Sequence, residues 1–429
     1  MPADRYVLLG LARPRAEWFR AVGQWSSTAA IPAEFAKCVS VAELQARLAS
    51  GRRHSAVLLD GGLPAIDRDV LDAAREAGCA VVVVDDGLRA SSWSALGVAA
   101  VLPPSFSREA LLDALATHAV LVGGATTAVV DGLRQDGAPV PLGLVAAVCG
   151  PGGTGASTTA AALAQGLGAG GRHGDVLLAD LARHGEQAML HDVRDVVPGL
   201  QEVVDAHRSG WPADDELRTL LFHVVDRHYQ LLLGLRRARY WSTLRPRAFD
   251  AAFESLRRLF GVTVCDITAD FEGERDGGSV DVEERNHVAR ATVGLADVVF
   301  VVARPGVKGM HALVRVLGEL AATGVPAGRV VPVVNLAPRH PKARAEIVAT
   351  LAELAPPAMG GGSTTAPLFL PARKVDESWR DGAPLPGPLP STLARAFDAT
   401  VQRLGPLLAA PAEPELVVPG SLGSWSADE

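Results

Sequence analysis

The chain has 429 residues, 48% hydrophobic and 21% charged, which allows two or three domains with sizeable cores and excludes a disordered or collagen-like polymer. Its 41 basic and 48 acidic side chains give a net charge of −7, so no basic excess advertises nucleic-acid binding. Only Lys37, Lys308, Lys342 and Lys374 are lysines, and none lies between the first two.

In chain order, residues 6–9 form a short apolar run, followed by a helical pattern around Trp18 and Val22. Ser40 reads as the cap of a helix reaching Leu48. Residues 56–60 predict a buried strand ending in Asp60, residues 70–77 a helix, 79–84 and 98–102 two further strands, and 107–118 a last helix. Unbroken apolar strands alternating with helices predict a parallel sheet covered on both faces, spanning a first domain over 1–120. Residues 121–142, rich in Gly, Thr and Pro, read as a linker. A second α/β domain over 143–407 has expected strands at 145–149, 176–180, 231–234, 262–266, 298–303, 330–335 and 368–370. Residues 408–429 lack periodicity and read as a disordered tail. The expected fold class is therefore α/β, with two doubly wound parallel sheets.

The four cysteines, Cys38, Cys79, Cys149 and Cys265, form no CxxC or Cys/His cluster, so buried free thiols are expected. The N-terminus has no basic segment followed by a long apolar one, which argues against a signal peptide. The longest apolar runs fall far short of the roughly 18 residues of a spanning helix, so a cytoplasmic protein is expected.

The most informative stretch is Leu144-Val-Ala-Ala-Val-Cys-Gly150-Pro-Gly-Gly-Thr-Gly155-Ala-Ser-Thr-Thr159. A buried strand runs into a glycine-rich turn and then a strong helix former. Such a P-loop aims backbone N–H groups and the positive end of a helix at one point, a cradle for phosphate. Gly152, Gly153, Thr154, Gly155, Ala156, Ser157 and Thr158 are the candidate nucleotide-binding residues, and a hydroxyl at Ser157 or Thr158 could hold magnesium. A purely structural glycine turn is the alternative.

This stretch resembles the deviant Walker A loop of the MinD and ParA ATPases, which runs Lys-Gly-Gly-x-Gly-Lys-Thr. Here Pro151 and Ala156 stand in the two lysine positions. The resemblance extends to Val176-Leu-Leu-Ala-Asp180, where it implies a carboxylate contacting magnesium or the attacking water, and to Val262-Thr-Val-Cys-Asp266, similar to a Walker B strand. It assigns catalytic roles to Asp180 and Asp266 and an indirect magnesium role to Ser157 and Asp266. It also implies that Asn335, at the end of 330–335, helps hold adenine, and that the cofactors are ATP or ADP with magnesium. Solvated strand-end carboxylates remain the plain alternative for Asp180 and Asp266.

The front domain resembles a response-regulator receiver, with Asp60 in the phosphoacceptor position. Gly10-Leu11-Ala12 replaces the acidic pair of a receiver and Pro103-Pro104 its Lys-Pro, so Asp60 is expected to have no magnesium pocket and to take no phosphoryl group. A degenerate receiver joined to a lysine-poor MinD-like domain resembles the CpaE/TadZ family. That resemblance implies a nucleotide-binding localisation or assembly factor for a Tad (Flp) pilus or a type II/IV-like secretion apparatus. It further implies pilus or secretion proteins as partners, a homodimer, and weak or no ATP hydrolysis for want of a lysine on the transferred phosphoryl group. Recruitment to the membrane or a pole by partners stays open. The alternatives are an active ParA/MinD-type ATPase in chromosome partitioning or division-site placement, and a nucleotide-free scaffold.

Three weaker signals remain. The acidic run from Asp270 to Glu284 reads as a solvated loop before a helix capped at Ser279. Arg236-Arg237-Ala-Arg239-Tyr240-Trp241 reads as a solvated loop with a packed Trp rather than a nucleic-acid contact. Leu393, Phe397, Val401 and Leu404 share one face of a last helix without a basic face, predicting packing on its own domain rather than on a membrane.

Overall fold

The computed structural model describes residues 5–87, 92–122, 142–273, 278–380 and 382–408. Nearly all of the expected linker, the expected tail after Leu408, and Glu274 and Asp276 of the acidic run lie outside the described residues.

The first sheet contains β1 (Tyr6–Leu11), β2 (Ala33–Cys38), β3 (Ala56–Asp60), β4 (Ala80–Val84) and β5 (Ala100–Leu102), interleaved with α1 (Glu17–Ser27), α2 (Val41–Ala49), α3 (Arg68–Glu76) and α4 (Arg108–His118). Its order is β2-β1-β3-β4-β5, every pairing parallel, which is the doubly wound order of flavodoxin-like sheets. Because strand side chains alternate, Leu58 fills the core on one face and Leu59 the core on the other, both fully buried. Ser40 and Ser107 cap α2 and α4 by accepting from Glu43 N and Ala110 N. β2 has no apolar run to announce it. It is a half-exposed edge strand carrying Glu34 and Lys37, so only one side of it needs apolar residues.

The second sheet contains β6 (Leu144–Cys149), β7 (Val176–Asp180), β8 (Phe222–Val224), β9 (Tyr229–Leu232), β10 (Val262–Asp266), β11 (Val298–Ala303), β12 (Val330–Ala337) and β13 (Leu368–Pro371). Its order is β13-β12-β11-β6-β10-β7-β9-β8, parallel except for the terminal β8–β9 pair. The helices are α5 (Ala156–Gly170), α6 (Gln187–Leu190), α7 (Leu200–Arg208), α8 (Asp214–Thr219), α9 (Pro246–Leu259), α10 (Val280–Leu295), α11 (Val307–Ala322), α12 (Pro341–Ala358), α13 (Asp376–Arg380) and α14 (Pro388–Leu408). The central strands are buried on both faces, the expected reason for their unbroken apolar sequences.

Three expectations need correction. The strand expected at 231–234 runs over Tyr229–Leu232, because the short hairpin with β8 sets its start. Ser279 precedes α10 but its side chain makes no capping bond. Trp241 lies in a short 3₁₀ turn and is half-exposed rather than packed. The last helix does lie on α5, with Leu393 and Phe397 fully buried. All four cysteines are free and buried. Among the described residues no helix is long and apolar enough to cross a membrane.

The two sheets meet through the N-terminal turn of α3. Arg68 donates from Nε to the His207 carbonyl and from Nη2 to the Gly210 carbonyl, both at 2.9 Å, and lies over the Trp211 ring at 4.6 Å. It thereby takes up carbonyls at the C-terminal end of α7. Asp69 does the reverse for α9, accepting from the Arg247 and Ala248 N–H groups at 3.2 and 3.3 Å. Asp67, itself the cap of α3, pairs with Arg208 at 3.1 Å and Arg245 at 3.4 Å. All three side chains of α3's entry are buried.

Candidate functional site

At the carboxyl end of β6 the chain turns through Pro151–Gly155 into α5. Thr154 is buried and folds inward, its hydroxyl donating to the Pro151 carbonyl at 2.7 Å, while Gly152 and Gly153 stay exposed on the outer side. Gly155 starts the helix at φ 88°, a left-handed conformation that favours glycine. No side chain caps α5, in contrast to α2, α3 and α4. The first-turn N–H groups of a 15-residue helix therefore face the exposed glycines with no side-chain acceptor.

Two carboxylates sit beside this helix start. Asp180 and Asp266 end β7 and β10 as register partners in adjacent parallel strands, and they are 1% and 2% exposed. Burial, and then the neighbouring Asp266 charge, pushes the Asp180 carboxyl well above the usual carboxylate range. Burial pushes Asp266 up to about 6, against hydrogen bonds from Gln187 and Ser157 that hold it down. Asp180 Oδ2 accepts the Gln187 N–H at 3.0 Å and the Ala182 N–H also favours its charged form, while Oδ1 makes no hydrogen bond of ordinary geometry among the described residues. Backbone walls it in: a Cβ at Gly185 would lie 2.5 Å from Asp180 Oδ2, and one at Gly234 2.9 Å from its Cγ. Asp180 is thus sealed beneath the loop that follows it. Asp266 faces the first turn of α5, and the fully buried Gln187 side chain joins it there, donating to Asp266 Oδ2 at 2.7 Å and to the Ser157 carbonyl at 3.0 Å.

A hydroxyl and a buried carboxylate are donors a hard cation accepts, so Ser157 and Asp266 fit magnesium chemically once Gln187 yields. Asn335 donates its amide to the Thr154 carbonyl at 2.8 Å, which ties β12 to the glycine loop. It lies where the β12–β13 register shifts, next to Leu336 at φ 52°. The structure therefore gathers the loop, Asp180, Asp266 and Asn335 at one edge of the sheet.

Sequence reasoning missed Gln187 and a second hub. Arg183, in the loop after β7, pairs with Asp270 at 2.6 Å; Asp270 also takes Arg285 at 3.5 Å and the Asn286 amide at 2.9 Å. It joins the loops after β7 and β10. A short amide-bearing helix seven residues after a strand-end Asp is too common a pattern to single out Gln187 without knowing which strands are neighbours.

In the first sheet, Asp60 ends β3 and is 1% exposed. Arg13 donates to it from its backbone N at 3.0 Å and from Nε at 2.9 Å, and reaches Asp86 with Nη2 at 2.7 Å. These two carboxylates raise the Arg13 guanidinium above its ordinary value. The group floors an open cleft of about 480 Å³ that also touches Trp18, Pro104 and Ser105.

No protein-family model matches the chain, and no curated protein matches it significantly. Among solved structures it is similar to a ParA family ATPase from Chlorobium tepidum TLS at 16% identity, over 61% of this chain and 95% of that one, with a TM-score of 0.43. It is also similar to a putative plasmid partition protein from Borrelia burgdorferi B31 bound to AMPPNP (13%, 61% and 100%, 0.43). A third is the septum site-determining protein MinD complexed with Mg-ADP from Pyrococcus horikoshii OT3 (20%, 62% and 97%, 0.41).

Proposed function

We propose that the loop from Gly152 to Thr158 binds ATP or ADP, and that the chain is a nucleotide-dependent localisation or assembly factor rather than a fast ATPase. The observation that carries this reading is the uncapped start of α5 behind exposed glycines, set beside two register-paired buried carboxylates. An anion there meets backbone N–H groups and a helix dipole. Ser157 and Asp266 would hold magnesium, which when bound would neutralise phosphate charge.

Weak or absent hydrolysis fits the side chains present. The lysine positions are Pro151 and Ala156, so no compact ammonium reaches a transferring phosphoryl group from the loop. Asp180 is 1% exposed under the loop that follows β7, so an attacking water would reach it only if that loop opened. Met189, Val307 and Leu336 are exposed around the carboxyl edge of the sheet, apolar surface that a nucleotide-stabilised homodimer would cover. The proposal of a Tad/Flp pilus or secretion apparatus as the partner rests on the pairing of a receiver-like front domain with this loop.

Calorimetry of the full chain with ATP and ADP, with and without magnesium, tests the reading. Binding is expected in wild type and lost in Gly153→Asp, which sets a negative side chain into the cradle at a position of φ 74°. No heat from either nucleotide would overturn it. Light scattering with and without nucleotide tests the dimer.

A further inference from the structure

Gln187 is held more firmly than a surface amide has any need to be. Its side chain is fully buried and donates to Asp266 and to the Ser157 carbonyl, and its N–H donates to Asp180. Its carbonyl lies 2.7 Å from His191 Nδ1, whose Nε2 lies 2.5 Å from the Tyr229 hydroxyl. Burial lowers His191 to about 4, so the ring is neutral, with Nδ1–H donating to Gln187 and Nε2 accepting from Tyr229. The ring also stands edge-on to Trp379 at 5.7 Å. A continuous chain of contacts thus runs from the helical layer into the carboxylate pair and ends on Asp266 Oδ2.

A buried carboxylate pair without a cation is costly unless donors surround it. Here the donor is a neutral amide supplied by the chain itself. We propose that Gln187 is a built-in occupant of the cation position: its amide takes an Asp266 oxygen that would otherwise serve magnesium, so nucleotide binds with little dependence on the metal, which enters only when α6 withdraws. This rests on the nucleotide reading above and adds a residue that sets the site's metal requirement. Gln187 is a positioning residue, acting through Asp266 rather than on the nucleotide.

The test is calorimetric titration of ADP into the full chain in excess MgCl₂ and in EDTA. Wild type should bind with affinities within about threefold in the two buffers. Q187A, freed of a charge-assisted bond, should bind roughly tenfold or more tightly with magnesium than without. Q187L keeps the bulk but lacks the donor; it should behave like Q187A and serves alone if the alanine variant does not fold. Magnesium chloride by itself should raise the melting temperature of the variants and leave that of wild type unmoved. A wild-type chain already tenfold dependent on magnesium, or variants that keep the wild-type ratio while still binding ADP, would overturn the role of Gln187 and leave the nucleotide reading standing. Failure of wild type to bind ADP in either buffer would remove both.

Discussion

Asn335 ties β12 to the glycine loop through one bond of 2.8 Å to the Thr154 carbonyl. Asn335→Ala should cost about 1 kcal/mol of stability and lower nucleotide affinity several-fold, measured by thermal melting and calorimetry. Arg13 on Asp60 leads to a second expectation, that beryllofluoride, a phosphoryl mimic, should leave the melting temperature and fluorescence of the chain unchanged. His207 makes one contribution to the pH dependence, alongside His191 with the same sign and Asp266 with the opposite one. Burial lowers it to about 4, with Arg68 adding to the effect, while its Nδ1 lies 2.8 Å from the Val203 carbonyl and its Nε2 2.9 Å from the Ser255 hydroxyl. The folded value is below the unfolded one near 6.5, so this contribution is complete above pH ~6.5 and is lost as pH falls toward about 4. At full loss it amounts to roughly 3 kcal/mol. His207→Gln, which cannot titrate, should flatten the slope of stability against pH between those values in denaturant melts. At this scale the glycine loop and the strand-end carboxylates were legible because each is a local pattern. Gln187 and Arg13 were not, since their roles depend on which strands become neighbours: Asp180 meets Asp266 only because β7 pairs with β10, across 86 positions of sequence.

Among the elements, central strands announced themselves and edge strands did not. β6, β10 and β11 are buried on both faces and must be apolar throughout. β2 and β8 lie at sheet edges, where half of each strand faces water and no continuous run is required. The last helix was legible from its spacing alone: Phe397 is fully buried and packs edge-on to His173 at 5.7 Å, while the next residue, Asp398, takes the His173 ring at 2.8 Å. Phe397→Ala should cost about 3–5 kcal/mol, because the transfer loss and the cavity add. Since α14 covers α5, the loss should appear as a lower melting temperature together with weaker nucleotide binding.

For the whole molecule, the join between the sheets is carried by charge rather than by a broad apolar face. Arg68 serves the end of one helix and Asp69 the start of another, both buried. Asp69→Ala should cost about 1–2 kcal/mol, the range for losing a helix cap. Arg68→Ala leaves the α7-end carbonyls without their donor. If the clasp makes the two sheets unfold together, the double variant should split a single calorimetric transition into two; a single transition at lower temperature would show that other contacts suffice. None of this was legible in the sequence, where Asp67-Arg68-Asp69 looks like an ordinary solvated helix start.

The clasp also bears on how the chain comes off the ribosome. Asp69 and the Arg247 N–H it caps are separated by 178 residues, and Arg68 waits 139 for the His207 carbonyl. At roughly 5–20 residues per second, the 145 residues from the end of β5 at Leu102 to Arg247 take about 7–29 s, during which the first sheet is complete and its partner helix α9 does not yet exist. Through that interval a helix start destined for burial stands in solvent, its arginine and aspartates hydrated rather than orphaned. An apolar docking face of the same area would spend those seconds as a sticky surface; a charged one can wait in water.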